Sequence, residues 1–106
     1  MDRMHPALAS QVDGLHPVVL RLIDQTVRAA TTAGKWVGVC GGVAGEPRGA
    51  MIMAGLGVTE LSMSLPSIAA IKAQLRNTSL VRLKAFAQKA LACQSAPEVR
   101  ALEMPA

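Results

Sequence analysis

A thiol set among glycines is the part of this 106-residue sequence best suited to chemistry. In "GKWVGVCGGVAGEP", residues 34–47, an apolar run ends at Cys40, with Gly38 before it and Gly41 and Gly42 after it. Because glycines carry no side chain, a substrate or a backbone could come close to the sulfur. A cysteine in such a place is either a functional thiol or a small buried hydrophobic residue, and its position leaves both readings open.

The other cysteine and the two histidines do not extend this thiol into a larger site. His5 and His16 lie far from Cys40 in sequence, so no nucleophile pair is evident. Two cysteines do not make a disulfide scaffold, and the spacing matches no zinc motif. We expect free thiols, with Cys93 inert in a terminal helix and the histidines at the surface or capping helices.

Composition favours a globular domain and argues against two classes of partner. Half of the residues are apolar and only Trp36 and Phe86 are aromatic, so the core must be aliphatic and methionine-rich. The net charge of +4 is spread without stacking aromatics, which argues against nucleic-acid binding. The longest apolar run, 49–58, is too short to cross a bilayer, and residues 1–16 lack a secretory signal. We therefore expect a cytoplasmic protein without membrane contact.

The first half of the chain predicts a helix, a strand and a second helix. Helical spacing begins at Pro17 and ends before Gly34. Residues 35–40 are short, valine-rich and apolar at successive positions, which predicts a strand covered on both faces. A loop over 41–47 and a short helix over 48–55 follow.

The second half predicts one more strand and three helices. The strand spans 59–64, and the helices span 66–75, 79–92 and 95–103. Ser95 and Glu98 have the spacing of a capping box for the last helix. Strands separated by helices imply parallel pairing, but two strands do not complete a parallel sheet. The sequence therefore predicts part of a larger α/β fold, in which ligands bind at the carboxyl ends of strands.

Several segments together resemble one bacterial enzyme family. Along the chain these segments are "HPVVLRLID" at 16–24, "GKWVGVCGGVAGEP" at 34–47, "GLGVTELSMSLPSIAAIK" at 55–72 and "RNTSL" at 76–80. They resemble enzyme I of the phosphoenolpyruvate:sugar phosphotransferase system, in a wider family that includes pyruvate phosphate dikinase and phosphoenolpyruvate synthase. The sequence of residues 13–24 is most like the fructose-type, multidomain members of the family. The resemblance covers nearly the whole chain.

The resemblance implies a fold and a division into domains. The family's catalytic domain is a (β/α)8 TIM barrel that binds phosphoenolpyruvate. Residues 1–106 resemble its last quarter, a single partial domain with about two parallel strands, flanking helices and C-terminal helices. This explains why the pattern of the chain contains too few strands for a complete sheet.

The resemblance also implies a reaction and its residues. In the family a phosphoryl group passes from phosphoenolpyruvate to a histidine and then to the phosphocarrier protein HPr, which leaves enolpyruvate to be protonated. The family's proton donor matches Cys40, and a thiol is mostly protonated near neutral pH. Arg3 matches a substrate-binding arginine, whose planar guanidinium suits a phosphate, and Gly41 is a second substrate-binding position.

Some features of the family are changed or missing in this chain. Gly42 stands where the family has a glutamate, and Glu46 stands where it has an aspartate. The carboxylates that hold Mg²⁺ in the family, the phospho-histidine domain and the HPr-binding helices match nothing in residues 1–106. We therefore expect the isolated chain to be inactive, because the metal is central to phosphoryl transfer. Its partners would be the missing barrel portion or a second copy of itself.

A second hypothesis gives the chain no chemistry of its own. A strand edge left exposed by the absent barrel strands could pair with another chain, as an interaction module does. Ser62 and Ser64 lie near the end of the second predicted strand, where they would be structural or line a pocket rim.

Overall fold

The computed structural model of the protein describes residues 13–105. In chain order the elements are α1 (Pro17–Thr32), β1 (Gly38–Cys40), a 3-10 helix (Gly42–Gly45), α2 (Pro47–Leu56), β2 (Glu60–Ser62), α3 (Leu65–Arg76), α4 (Leu80–Ala92) and α5 (Ala96–Ala101). The predicted α/β class, with two parallel strands, flanking helices and C-terminal helices, is confirmed. The 3-10 helix was missed, since residues 41–47 predicted a loop.

The two strands lie parallel and end together. Cys40 of β1 is the register partner of Ser62 of β2, and Val39 is the partner of Leu61. The strands are shorter than the predicted 35–40 and 59–64, because regular pairing covers three residues of each. The backbone N–H of Thr59 donates to the Val37 carbonyl just before this ladder.

The prediction that β1 is covered on both faces is not met within residues 13–105. Side chains alternate along a strand, and here Val39 and Leu61 are half-buried on the face that the helices cover. Gly38, Cys40 and Ser62 are exposed on the other face. Within the described residues, helices pack against one face of the sheet. The apolar run 35–40 predicts cover on both faces, but the side chains on its second face are open.

Helix α1 begins and ends where the sequence predicts. Pro17 is its first residue, and the His16 ring caps it by accepting a hydrogen bond from the Val18 N–H at 3.2 Å. Beyond its end Gly34 has a φ of 72°, a left-handed conformation that glycine adopts readily. The Lys35 N–H then donates to the Ala30 carbonyl at 2.8 Å and closes the helix end.

Helix α2 forms the centre of the hydrophobic core. Its residues Ala50, Met51, Ile52 and Met53 are almost fully buried. The helix α4 packs closely on it at Gly55, where an added Cβ would collide with the Leu83 carbonyl. A helical glycine therefore sets the closest approach between these two helices.

The apolar residues of α3 and α4 line the sides of these helices that face the core. In α4 the side chains Leu83, Phe86, Ala87 and Ala90 are buried and Leu91 is half-buried. In α3 Ile71 is buried, whereas Ile68 and Leu75 are half-buried. None of the helices in residues 13–105 combines the length and apolar content needed to cross a membrane.

Helix α5 is shorter than the predicted 95–103, and its capping differs by one residue. Ser95 accepts a hydrogen bond from the Glu98 N–H at 3.3 Å, as a capping box requires. The Glu98 carboxylate accepts from the Gln94 N–H at 2.9 Å rather than from the Ser95 N–H. The two predicted residues thus cap the helix, with the return bond displaced toward the N-terminus.

Candidate functional site

The carboxyl ends of the two strands form an open edge with the thiol of Cys40 on it. Cys40 is exposed and lies beside Ser62, its register partner. An open cleft adjoins this edge, between the loop after β1 and the start of α3. Its lining is mainly glycine and serine, with one methionine: Gly41, Gly42, Gly45, Ser62, Met63, Ser64 and Ser67. Cys40 itself adjoins this lining through Gly41.

Two glycines keep the approach to the thiol free of side chains. Gly41 has a φ of 112°, which a residue with a Cβ rarely adopts, so glycine is needed there for the backbone path. A Cβ placed at Gly41 or at Gly42 would meet no heavy atom within 4 Å. Space therefore surrounds the first two residues after Cys40.

The second half of the loop is held by packing against two other glycines. The Val43 side chain lies 3.2 Å from a Cβ placed at Gly14, and its carbonyl would collide with a Cβ placed at Gly49. Ala44 next to it is fully buried. The first residues after Cys40 thus lie in open space, and the following residues of the loop pack between the turn before α1 and the start of α2.

A three-residue ion cluster joins this loop to the C-terminal helix. Arg100 of α5 donates to both carboxylate oxygens of Asp13, at 2.7 and 2.8 Å, and to a Glu46 oxygen at 3.2 Å. The hydrogen bond from Arg100 lowers the pKa of Asp13 below its usual value, and the N–H of Leu15 acts in the same direction. The two carboxylates in turn raise the pKa of Arg100 above its usual value.

The structure describes two of the three predicted site residues. Cys40 and Gly41 lie at the open edge and beside the cleft, whereas Arg3 lies outside the described residues. Ser62 and Ser64 line the cleft. The catalytic role of Cys40 and the binding roles of Arg3 and Gly41 stay predictions.

Cys93 differs from Cys40 in its surroundings. It lies just past the end of α4 rather than inside a terminal helix, it is buried, and its Sγ donates to the Lys89 carbonyl at 3.3 Å. A thiol held in this way has no open approach.

No pattern in the sequence indicates the ion cluster. Asp13 and Arg100 are 87 residues apart, and Glu46 and Arg100 are 54 apart. Scattered charges do not reveal which pairs meet, and of the three residues only Glu46 stands out in the sequence, as a departure from the resembled family. Ser67 on the cleft was also missed, although its place in the first turn of a predicted helix could have indicated it.

The donor groups in residues 13–105 do not fit a metal ion. No three histidine, cysteine, aspartate or glutamate side chains of that part of the chain come together as ligands. The Mg²⁺ that the resemblance implies would need carboxylates from outside residues 13–105.

The chain matches a family of known proteins. The model for the PEP-binding domain of PEP-utilising enzymes matches residues 1–80, which is most of the sequence. The chain therefore belongs to the PEP-utilising enzyme family, and the resemblance inferred from the sequence is confirmed.

Individual relatives share most of this chain but are much longer. A multiphosphoryl transfer protein of Rhodobacter capsulatus is 61% identical over 97% of the chain, and one of Xanthomonas campestris is 52% identical over the same share. A phosphoenolpyruvate-protein phosphotransferase of Buchnera aphidicola is 38% identical over 93% of it. The chain spans 12% of the length of the first two relatives and 17% of the third.

Proposed function

We propose that this chain is the C-terminal portion of a phosphoenolpyruvate-dependent protein phosphotransferase and that Cys40 is its proton donor. The observation that carries the proposal is the exposed Cys40 thiol at the carboxyl end of a parallel strand, on the open face of the sheet. The names of the relatives support the reaction class. In this proposal the two strands are the last two of a (β/α)8 barrel.

The proposed step is the protonation of a carbon atom. Transfer of the phosphoryl group to a histidine breaks the P–O bond of phosphoenolpyruvate and leaves the enolate of pyruvate. The electron pair of its C=C bond then takes the proton of the Cys40 S–H at the methylene carbon, which becomes the methyl group of pyruvate. Cys40 is left as a thiolate and regains a proton from water. Cys40 is exposed and the two residues after it carry no side chain, so a planar substrate has room to lie against the sulfur.

The other roles fall only partly within residues 13–105. Arg3 is proposed to bind the anionic substrate, Gly41 in the described loop to lie against it, and HPr to receive the phosphoryl group through domains outside this sequence. Mg²⁺ would be held by the missing barrel portion. We therefore propose that the isolated 106-residue chain is not competent for the reaction.

The test is to restore the missing portion. The Rhodobacter capsulatus relative, deleted for the segment that this chain matches, is mixed with the chain, and pyruvate formation from phosphoenolpyruvate is measured in a coupled assay. We expect no turnover by either part alone and turnover by the mixture. Cys40→Ala should reduce this turnover by a factor of about 100 or more, as loss of a general acid does. Cys93→Ala is the matched control and should leave the turnover unchanged.

Two outcomes would contradict the proposal at different points. Turnover by the purified chain alone would contradict its incompetence. Restored turnover that survives Cys40→Ala would show that the chain completes the barrel while Cys40 donates no proton.

A second candidate function is an interaction module without chemistry. In the part of the chain that the structure describes, each strand has one neighbour, so each presents an unpaired edge. Such an edge can accept another strand. Binding of the deleted relative without any turnover would favour this function over the first.

A further inference from the structure

We propose that Arg100 is a positioning residue for the loop that follows Cys40, acting through Glu46 with Asp13 as a brace. This inference rests on the proposed function only in that the loop begins directly after the proposed proton donor. The group of three side chains is called the clasp below: Asp13, Glu46 and Arg100.

Within the clasp, Asp13 fixes the direction in which Arg100 meets Glu46. Both oxygens of Asp13 accept from Arg100, from Nε at 2.7 Å and from Nη2 at 2.8 Å, which fixes the plane of the guanidinium. The remaining nitrogen, Nη1, then points to Glu46 and donates at 3.2 Å. Because Asp13 orients the guanidinium, Glu46 meets a donor whose direction is already set.

The first two residues of the loop make few contacts, so their position depends on contacts made further along the loop. Gly41 and Gly42 are exposed and have open space around them. The loop has two backbone hydrogen bonds of its own: the Ala44 N–H donates to the Gly41 carbonyl at 3.2 Å, and the Glu46 N–H makes a longer bond to the Val43 carbonyl at 3.4 Å. Glycine-rich backbone loses much conformational freedom on ordering, so contacts at the far end of the loop decide how well it is fixed.

Packing and charge act on the same two segments. Val43 rests against Gly14, and the next residue toward the N-terminus of that turn is Asp13. The loop therefore touches the turn at Val43 and is tied to it again at Glu46 through Arg100. Two adjacent contacts fix both the distance and the angle of the loop relative to the turn.

Helix α5 is itself anchored, so that Arg100 has a fixed base. Arg48 at the start of α2 donates from Nη1 to the Val99 carbonyl at 3.3 Å and to the Leu102 carbonyl at 2.6 Å. Val99 is fully buried. These contacts hold the residues on both sides of Arg100, and the position of α5 is passed on to the loop through the clasp.

The test separates loop order from overall stability. Amide hydrogen exchange is followed in the full 106-residue chain at Ala44 and Glu46 in the loop and at Ile52 and Ala87 in the core. In Glu46→Gln and in Arg100→Lys we expect exchange at the two loop amides to rise by about two- to fivefold, in keeping with loss of a partly exposed ion pair. Exchange at the two core amides should stay unchanged.

A matched control removes an ion pair elsewhere. Arg28 of α1 donates to Asp24 at 3.0 Å, four residues away on the same helix. Asp24→Asn should leave exchange at Ala44 and Glu46 unchanged. If Arg100→Lys fails to fold, Glu46→Gln decides the matter, because it leaves the Asp13–Arg100 pair intact.

The enzyme reconstituted as described above gives a second readout. Glu46→Gln should lower kcat by a similar factor of about two to five with KM unchanged, since Glu46 lies at the far end of the loop from Gly41 and is proposed to act on the position of Cys40 rather than on substrate binding. A uniform rise in exchange at loop and core, or no rise at the loop, overturns the positioning role. The proposed function would still stand after that result if Cys40→Ala removes the turnover. Conversely, if Cys40→Ala leaves the turnover unchanged, the proposed function is wrong but the exchange result is unaffected.

Discussion

Cys40 and Cys93 show how surroundings separate two identical side chains. Cys93 is 7% exposed and its thiol is used in a hydrogen bond to a carbonyl of the preceding helix turn. Cys40 ends a strand, is exposed, and is followed by two glycines. The carbon atom that receives the proton must be able to reach the sulfur, so only the environment of Cys40 suits the proposed step.

Gly42→Glu restores the carboxylate that the resembled family has at this position. The site has room for it, since a Cβ at Gly42 meets nothing within 4 Å. A carboxylate two residues from Cys40 would repel a negatively charged reagent that approaches the sulfur. We expect alkylation of Cys40 by the anion iodoacetate at pH 7.5 to slow by on the order of threefold, with the fold unchanged by circular dichroism.

Gly42→Gln is the matched control for Gly42→Glu, because it adds the same bulk without the charge. The Cys93→Ala background removes the second thiol, so that the measured rate belongs to Cys40. Equal slowing by Gln and Glu would show that bulk rather than charge controls access to the sulfur.

At the scale of the elements, the contact between α2 and α4 depends on a glycine inside a helix. Gly→Ala in an exposed helix normally stabilises by about 1 kcal/mol. At Gly55 the sign should reverse, because the added Cβ collides with the Leu83 carbonyl and comes within 2.9 Å of the Ala87 Cβ. We expect Gly55→Ala to lower the free energy of unfolding by about 1–3 kcal/mol, measured by urea denaturation.

Gly42→Ala serves as the comparison for Gly55→Ala. Its Cβ would enter open space, so the free energy of unfolding should change by less than about 0.5 kcal/mol. If Gly55→Ala stabilised the chain instead, the close approach of α2 and α4 would be wrong.

The clasp predicts a pH dependence with a definite sign. Arg100 lowers the pKa of Asp13 in the folded chain. Its contribution to stability is therefore present above the pKa of the unfolded chain, near 4, and is lost as the pH falls through the lower folded value. At pH 7 Asp13→Asn should cost about 0.5–1 kcal/mol, discounted because the Asp13 and Arg100 side chains are 21% and 44% exposed.

The Asp13→Asn comparison is made by urea denaturation across a series of pH values. Asparagine keeps an acceptor for the Leu15 N–H, so the variant loses mainly the charge. The difference from the unchanged chain should shrink toward zero as the pH falls below the ordinary carboxylate range. A difference that stays constant even below that range would assign the loss to shape rather than to ionisation.

Local patterns predicted elements better than contacts between them. Pro17, Gly34 and the Ser95–Glu98 spacing fixed helix ends, because caps depend on neighbouring residues. The glycine-flanked Cys40 was predicted at a strand end for the same reason. The clasp and the glycine contact at Gly55 were not predicted, since both join residues far apart in sequence whose meeting depends on the whole packing. The covering of both sheet faces was inferred from apolarity alone, which cannot say which segment does the covering.

At the scale of the whole molecule, one face of the sheet is the feature that the described residues leave unfinished. The helices cover the side of Val39 and Leu61, and the side of Gly38 and Cys40 is open. Parallel sheets are normally covered on both faces. The chain spans 12% of the length of its multiphosphoryl transfer relatives, so ample polypeptide exists in those proteins to cover the other side.

Trp36 offers a direct measurement of whether that face becomes covered. It is the one tryptophan in the sequence, is 70% exposed, and its ring lies 3.2 Å from a Cβ placed at Gly38, which puts it on the open face. When 5-fluorotryptophan replaces it, mixing with the deleted Rhodobacter capsulatus relative should shift and broaden the single fluorine resonance, because the ring passes from water into packed side chains.

The matched probe for that measurement lies on the covered side of the molecule. Phe86 of α4 is buried in the core, so a 4-fluorophenylalanine label there should keep its resonance position on mixing, apart from broadening by the larger size of the complex. A shift at Phe86 with none at Trp36 would mean that the relative binds the helical side of this chain. The open face of the sheet would then not be the surface that completes the fold.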